Sequence, residues 1–268
     1  VRSCKEYSIL IRVSPSVISN CLKSSLSLIS INCEFLTAKI LNFFENFIMQ
    51  LITVYLMPGL AASPLIFQKL KLSESQFKIV LLEWQLPLSI DESLSAYAKR
   101  MALKVTAKNA VLVGVSFGGI LVQEMAQFCK PQKTIIISSV KCRAELPVRM
   151  HWVADLKIYN ALPYSLASHL QLLKKLPFGD YFKKRVELYE KFLSVNDKLY
   201  LKWAVKNVVQ WERKTIDASV IHIHGTADEI FPTVNLKGFI AVEGGSHIMI
   251  LNKYKWLNEN LPKIIKNE

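Results

Sequence analysis

At 268 residues, 51% apolar and 21% charged, the chain has material for one large α/β domain with an insertion, and this balance argues against long disorder. A formal charge of +13 raises nucleic acid or an anionic membrane as partners, but the excess is dispersed lysine. No basic block exceeds Lys183-Lys184-Arg185, and no zinc-finger or RNA-binding sheet motif is present, so no specific nucleic acid is expected.

Residues 1–48 stand apart from the rest. They hold three of the five cysteines (Cys4, Cys21 and Cys33) and no glycine. They read as an N-terminal extension, or as residues upstream of a start at Met49, outside the working domain in either case. Residues 1–25 carry no clean basic-then-apolar signal pattern, and no apolar run is long enough to span a bilayer, so the expected compartment is cytoplasmic. Cys129 and Cys142 complete an odd set without paired spacing, which offers neither a disulfide framework nor a metal site.

From Gln50 the chain alternates β-branched runs with longer helical stretches, the pattern of a parallel sheet with crossover helices. Strands are expected at Leu51–Met57, Lys78–Glu83, Ala110–Val115, Lys133–Ser138, Ser219–His224 and Phe239–Val242. Helices are expected at Ser93–Ala107, with Ser93 as N-cap, at Gly118–Phe128 and at Ile248–Ile265. The alternation stops between Val140 and Ile216. This stretch is helical in character, is broken by prolines and carries eleven aromatics. It reads as a helical cap (141–216) inserted over the sheet. With 15 Lys and Arg against 7 Asp and Glu over residues 141–215, the cap would favour an anionic substrate.

The chemistry centres on Gly114-Val115-Ser116-Phe117-Gly118-Gly119. It follows an apolar strand and opens a helix, the setting in which a sharp turn pushes a serine hydroxyl into solvent. A serine needs a base within hydrogen-bond reach, and the base needs an orienting acid. Asp228 lies just past the strand Ser219–His224, and His247 lies in Gly244-Gly245-Ser246-His247, past the strand Phe239–Val242. All three fall on loops after the carboxyl ends of strands, where open α/β sheets place their sites. Each has a structural alternative: Asp228 as a helix N-cap, His247 as a satisfied structural histidine. Glu145, after the fourth strand, is a second candidate acid. His222 and His224 share one face of a strand and read as structural, since no third metal ligand is evident. His151 and His169 lie in the cap without an assigned role. Trp203 and Trp211, close to one helical face, read as core.

From Gln50 onward the sequence resembles the α/β-hydrolase fold family, on the elbow around Ser116, the Gly225-Thr226-Ala227-Asp228 loop and the Gly244-Gly245-Ser246-His247 loop. The resemblance implies a three-layer α/β/α sandwich with a mostly parallel sheet of about six strands, formed by residues 49–268. It implies Ser116 as nucleophile, Asp228 as acid and His247 as general base. It also implies an oxyanion hole from the backbone N–H groups of Phe117 and Leu60. A carboxylesterase-like serine hydrolase needing no metal or organic cofactor would follow, acting on a small ester-type substrate. The alternatives are an acyltransferase, thioesterase or lyase on the same triad, or a non-catalytic ligand-binding protein. The first two strands usual in the family are not recognisable before Gln50, and two further departures stand out. Where many members have His-Gly after the first strand, this chain has Pro58-Gly59, which removes a supporting histidine hydrogen bond. After Lys78–Glu83 comes Trp84-Gln85-Leu86-Pro87 in place of a small, polar loop.

Overall fold

Among the described residues, six strands form one all-parallel sheet: β1 (Ile52–Met57), β2 (Phe77–Leu81), β3 (Ala110–Val115), β4 (Lys133–Ile137), β5 (Val220–Gly225) and β6 (Ile240–Val242). The computed structural model describes residues 51–161 and 191–268. The expected extension 1–48, the middle of the expected cap and His169 lie outside the described residues. The spatial order is β2-β1-β3-β4-β5-β6, so the chain leaves β1 toward one edge and returns to build the other side. The reversal falls between β1 and β3, where Met57 pairs with Gly114. The loops that follow these two residues therefore emerge side by side, at the crevice where such sheets hold ligands.

Every residue of β3 is buried, as its unbroken apolar run Ala-Val-Leu-Val-Gly-Val requires of a strand covered on both faces. Period-two alternation sorts the strand side chains into two cores. Tyr55, Met57, Leu112 and Ile136 pack with helices α1 (Leu94–Ala102) and α2 (Phe117–Cys129). Val54, Leu56, Val111, Val113, Ile135 and Ile137 pack on the opposite side. There they meet α6 (Tyr254–Lys266), whose apolar stripe Leu257, Leu261 and Ile265 repeats every four residues. Helix, sheet and helix make the three layers.

The strand ends fall within one or two residues of the sequence expectation, and all three expected helices differ from it. Helix α1 starts as expected, with Ser93 Oγ accepting from Ala96 N at 3.1 Å, but stops at Ala102. Beyond it the Tyr55 hydroxyl accepts from Thr106 N and Ala107 N at 3.1 and 3.2 Å, tying that segment to β1. Helix α2 starts at Phe117, directly after Ser116. The single helix expected over Ile248–Ile265 is two. Helix α5 (Met249–Asn252) ends at the non-helical Lys253, and α6 follows.

Helices α3 (Val148–Asp155) and α4 (Lys198–Val209) occupy the described parts of the 141–216 stretch. Helix α4 starts on Asp197, whose Oδ1 accepts from Tyr200 N at 2.8 Å. It buries Tyr200, Trp203 and Ala204 against α1 and α2. Trp203 is completely buried, 4.4 Å from the Tyr97 ring by centroids, and donates to Glu92 O at 2.7 Å. Trp203 and Trp211 are both core residues. Among the described residues no helix is long and apolar enough to cross a membrane.

Candidate active site

Ser116 occupies the one-residue corner between β3 and α2, with φ 54° and ψ −121°. That conformation is disfavoured for a residue with a Cβ and is held by its neighbours. Ser116 N donates to Ile137 O at 2.9 Å, and its carbonyl accepts from Ser139 Oγ at 2.7 Å and Gly119 N at 2.8 Å. The corner closes only because glycine flanks it. A Cβ on Gly114 would sit 2.3 Å from Gly118 O, and one on Gly118 would sit 2.3 Å from Pro58 O. The second contact also brings the loop after β1 against the start of α2.

The loops after β5 and β6 interlock in the same way. A Cβ on Gly225 would lie 2.1 Å from Gly245 O, and Ala227 N donates to that carbonyl at 2.9 Å. This contact sets Asp228 beside His247. His247 Nδ1 lies 2.9 Å from Asp228 Oδ2, and His247 Nε2 lies 2.9 Å from Ser116 Oγ. A carboxylate only accepts, so Nδ1 carries the proton and Nε2 presents its lone pair to the serine hydroxyl. The edge of the Phe231 ring packs on the imidazole with centroids 5.4 Å apart.

Asp228 is 5% exposed. Its Oδ1 accepts from Ile230 N at 2.8 Å and Phe231 N at 3.0 Å. The capping interaction anticipated as an alternative is thus present, on a turn and not a helix, together with the contact to His247. Burial works to raise the carboxyl pKa. The hydrogen bond and charge of His247, with the Phe231 N–H, prevail and hold it below the usual carboxylate value.

The strand histidines reach this site, which the sequence did not reveal. His224 is fully buried, with Nε2 2.9 Å from Phe231 O and 3.3 Å from Asp228 Oδ2. Its Nδ1 lies 3.0 Å from His222 Nε2. Since the Phe231 carbonyl can only accept, His224 is protonated on Nε2, and its Nδ1 accepts from His222 Nε2–H. Burial keeps both rings neutral, lowering the His224 pKa and pushing that of His222 down to about 3, with His224 and Lys141 adding to the effect on His222. The one available signal was their alternation, which put both on one strand face.

Glu145 stands elsewhere. Its buried carboxylate accepts from Lys141 N at 2.6 Å and Lys237 N at 3.1 Å, a role in holding backbone. His151 Nε2 donates to Leu146 O, 3.1 Å away. Among the described residues no group of three or more His, Cys, Asp or Glu is placed to hold a metal ion. Cys129 and Cys142 are free thiols.

Ser116 and His247 open onto a cavity of about 270 Å³ whose other described walls are mostly apolar, including Leu60, Ile66, Leu193, Ile250 and Leu251. Gly59 borders the same space, and a Cβ there would be 3.5 Å from Ser116 Cβ. Neither Phe117 N–H nor Leu60 N–H donates to a backbone acceptor among the described residues. A larger open groove of about 1120 Å³ runs beside α4. Some of its charged groups are paired with one another, as in Arg213 with Glu124 at 3.0 Å and Lys206 with Asp91 at 2.9 Å, and its described lining holds no serine or cysteine with a histidine.

No family model matches the sequence, and no curated protein is significantly similar to it. Solved structures do share its architecture. A hydrolase from Oleispira antarctica superposes with a TM-score of 0.60 at 12% identity, over 81% of this chain and 91% of that one. A proposed non-heme bromoperoxidase from Mycobacterium tuberculosis gives 0.57 at 13% identity, over 80% and 92%. A thermophilic esterase from Thermogutta terrifontis gives 0.53 at 12%, over 81% and 90%. At these identities the likeness establishes a common fold.

Proposed function

We propose that this chain, whose fold is the α/β-hydrolase fold, is a serine hydrolase that cleaves an ester-type acyl bond. The observation that carries the reading is the unbroken hydrogen-bonded line from Ser116 Oγ through His247 to Asp228, with 2.9 Å at each step. Fold alone does not select a chemistry.

In this mechanism His247 Nε2 takes the Ser116 hydroxyl proton as Oγ attacks the acyl carbon. Asp228 holds the imidazole in the required tautomer and stabilises the imidazolium. Phe117 and Leu60 N–H groups, both left without backbone acceptors, receive the oxyanion, the interaction that often lowers the barrier most. His247 returns its proton to the leaving alcohol. Water then attacks the acyl carbon as His247 takes its proton, and His247 returns that proton to Ser116 Oγ as the Oγ–acyl bond breaks and the acid is released. The apolar cavity beside Ser116 favours an uncharged hydrocarbon acyl group over an anionic one, because none of its described lining side chains is Lys or Arg. The insertion 141–216 acts as the cap, with its residue Leu193 in the cavity wall. Turnover of p-nitrophenyl esters by the wild-type protein, and its loss in Ser116→Ala, tests the reading. Equal rates in the two proteins contradict it.

A further inference from the structure

Two of the departures from the family pattern meet in the structure. Trp84 is buried just after β2, and its Nε1–H donates to Gly59 O at 2.7 Å. Its ring stacks on Phe117, with centroids 4.9 Å apart and planes 9° from parallel. The Trp84 segment is itself fixed, because the Tyr97 hydroxyl exchanges hydrogen bonds with Gln85 N and O, both at 2.9 Å. Tyr200, 5.6 Å from the Trp84 ring, accepts from Ala61 N at 3.1 Å. One aromatic cluster thus grips the loop after β1 on both sides of Leu60.

Gly59 C=O and Leu60 N–H belong to a single peptide unit. The unit is planar and trans, so the two groups point in opposite directions. A hydrogen bond that fixes the carbonyl therefore fixes the N–H, and by polarising the amide it makes that N–H a stronger donor. We infer that Trp84 is a positioning residue for the oxyanion hole: its indole N–H sets the Gly59–Leu60 peptide, and its ring backs Phe117, which carries the other donor. It takes over the bracing lost where Pro58 replaces histidine. This rests on the serine hydrolase reading above.

The test is Trp84→Phe, which keeps an aromatic ring against Phe117 and deletes the N–H. A second protein carries 3-benzothienylalanine at position 84, which preserves the shape of tryptophan without the donor. Both are compared with wild type for kcat, KM, and affinity for an alkyl trifluoromethyl ketone, whose adduct with serine carries an oxyanion. Affinity for a non-hydrolysable amide of the same chain length reports the ground state. The expected result is a fall in kcat of about 10-fold to 100-fold, below the ~100-fold to 1,000-fold cost of deleting a donor outright. Ketone affinity falls with kcat, while KM and amide affinity stay within about twofold. Unchanged kcat in the benzothienyl protein, or equal weakening of ketone and amide, overturns the inference. A wild-type protein that hydrolyses no ester and forms no ketone adduct overturns the hydrolase reading itself.

Discussion

The Oδ2 atom of Asp228 lies 2.9 Å from Nδ1 of His247, closer than Oδ1 at 3.2 Å, and Oδ1 is also engaged by the Ile230 and Phe231 N–H groups at 2.8 and 3.0 Å. The two oxygens are therefore not equivalent. The backbone donors select which side must remain an acceptor, and His224 Nε2, 3.3 Å from Oδ2, adds a further donor on the His247 side.

Asp228→Asn follows from that division. Its amide oxygen must take the Oδ1 position to accept the two backbone N–H groups. The NH₂ then takes the nearer position to His247 Nδ1, which favours the wrong imidazole tautomer and leaves Nδ1–H only the longer 3.2 Å contact to the oxygen. The expected outcome is a loss in kcat of about 10³- to 10⁴-fold with little change in KM, measured by steady-state ester hydrolysis.

Acyl chain length follows from the cavity. Its 270 Å³ corresponds to about nine heavy atoms at about 30 Å³ each, taking the share of a water molecule as the unit. Each buried methylene contributes about 0.8 kcal/mol, or about fourfold in kcat/KM. A p-nitrophenyl ester series should rise from acetate toward hexanoate or octanoate and then level or fall. An ω-carboxylate on the acyl chain should slow the reaction, because no described lining side chain is Lys or Arg. A preference for the carboxylated esters would instead support the anionic substrate suggested by the cap charge.

The loop contacts separate two glycines. A Cβ at Gly118 would lie 2.3 Å from Pro58 O and 2.6 Å from Met57 O, both backbone atoms that cannot yield alone. A Cβ at Gly59 would meet Ser116 Cβ at 3.5 Å and Val115 O at 3.6 Å, ordinary packing distances. Gly118→Ala should therefore destabilise the fold by about 3 kcal/mol, and Gly59→Ala by less than about 1 kcal/mol, as read by urea unfolding.

The buried histidine gives a pH signature. The His222 pKa is pushed from 6.5 down to about 3, so between these values the unfolded chain binds a proton that the folded chain refuses. Stability is then lost as pH falls through this window, with a slope approaching about 1.4 kcal/mol per pH unit from this group. Unfolding midpoints measured from pH 7 to pH 4 should fall less steeply in His222→Gln than in wild type.

The parts of the fold that were legible in the sequence are those where local pattern and burial agree. The unbroken apolar run of β3 and the glycines around Ser116 announced a strand, a corner and a helix, and the structure has all three. The loops bearing Asp228 and His247 were legible by their positions after strands. The link between His224 and Asp228 was not, because alternation gives the face of a strand but not the neighbour across it. Trp84 read only as a departure, since its meaning depends on Gly59 and Phe117, each more than 20 positions away. The break at Lys253 is not legible in the sequence, because the apolar repeat runs on through it. The break lets α5 carry Ile250 and Leu251 to the cavity while α6 covers the sheet.

The central claim is that Ser116 is an activated nucleophile, and a fluorophosphonate probe tests it most directly. Probe reacted with the folded wild-type protein should form one covalent phosphonyl adduct, located by mass spectrometry on the peptide containing Ser116. Ser116→Ala should remain unlabelled, and His247→Ala should label far more slowly. Failure of the folded wild-type protein to label, or equal labelling of Ser116→Ala, would contradict the account.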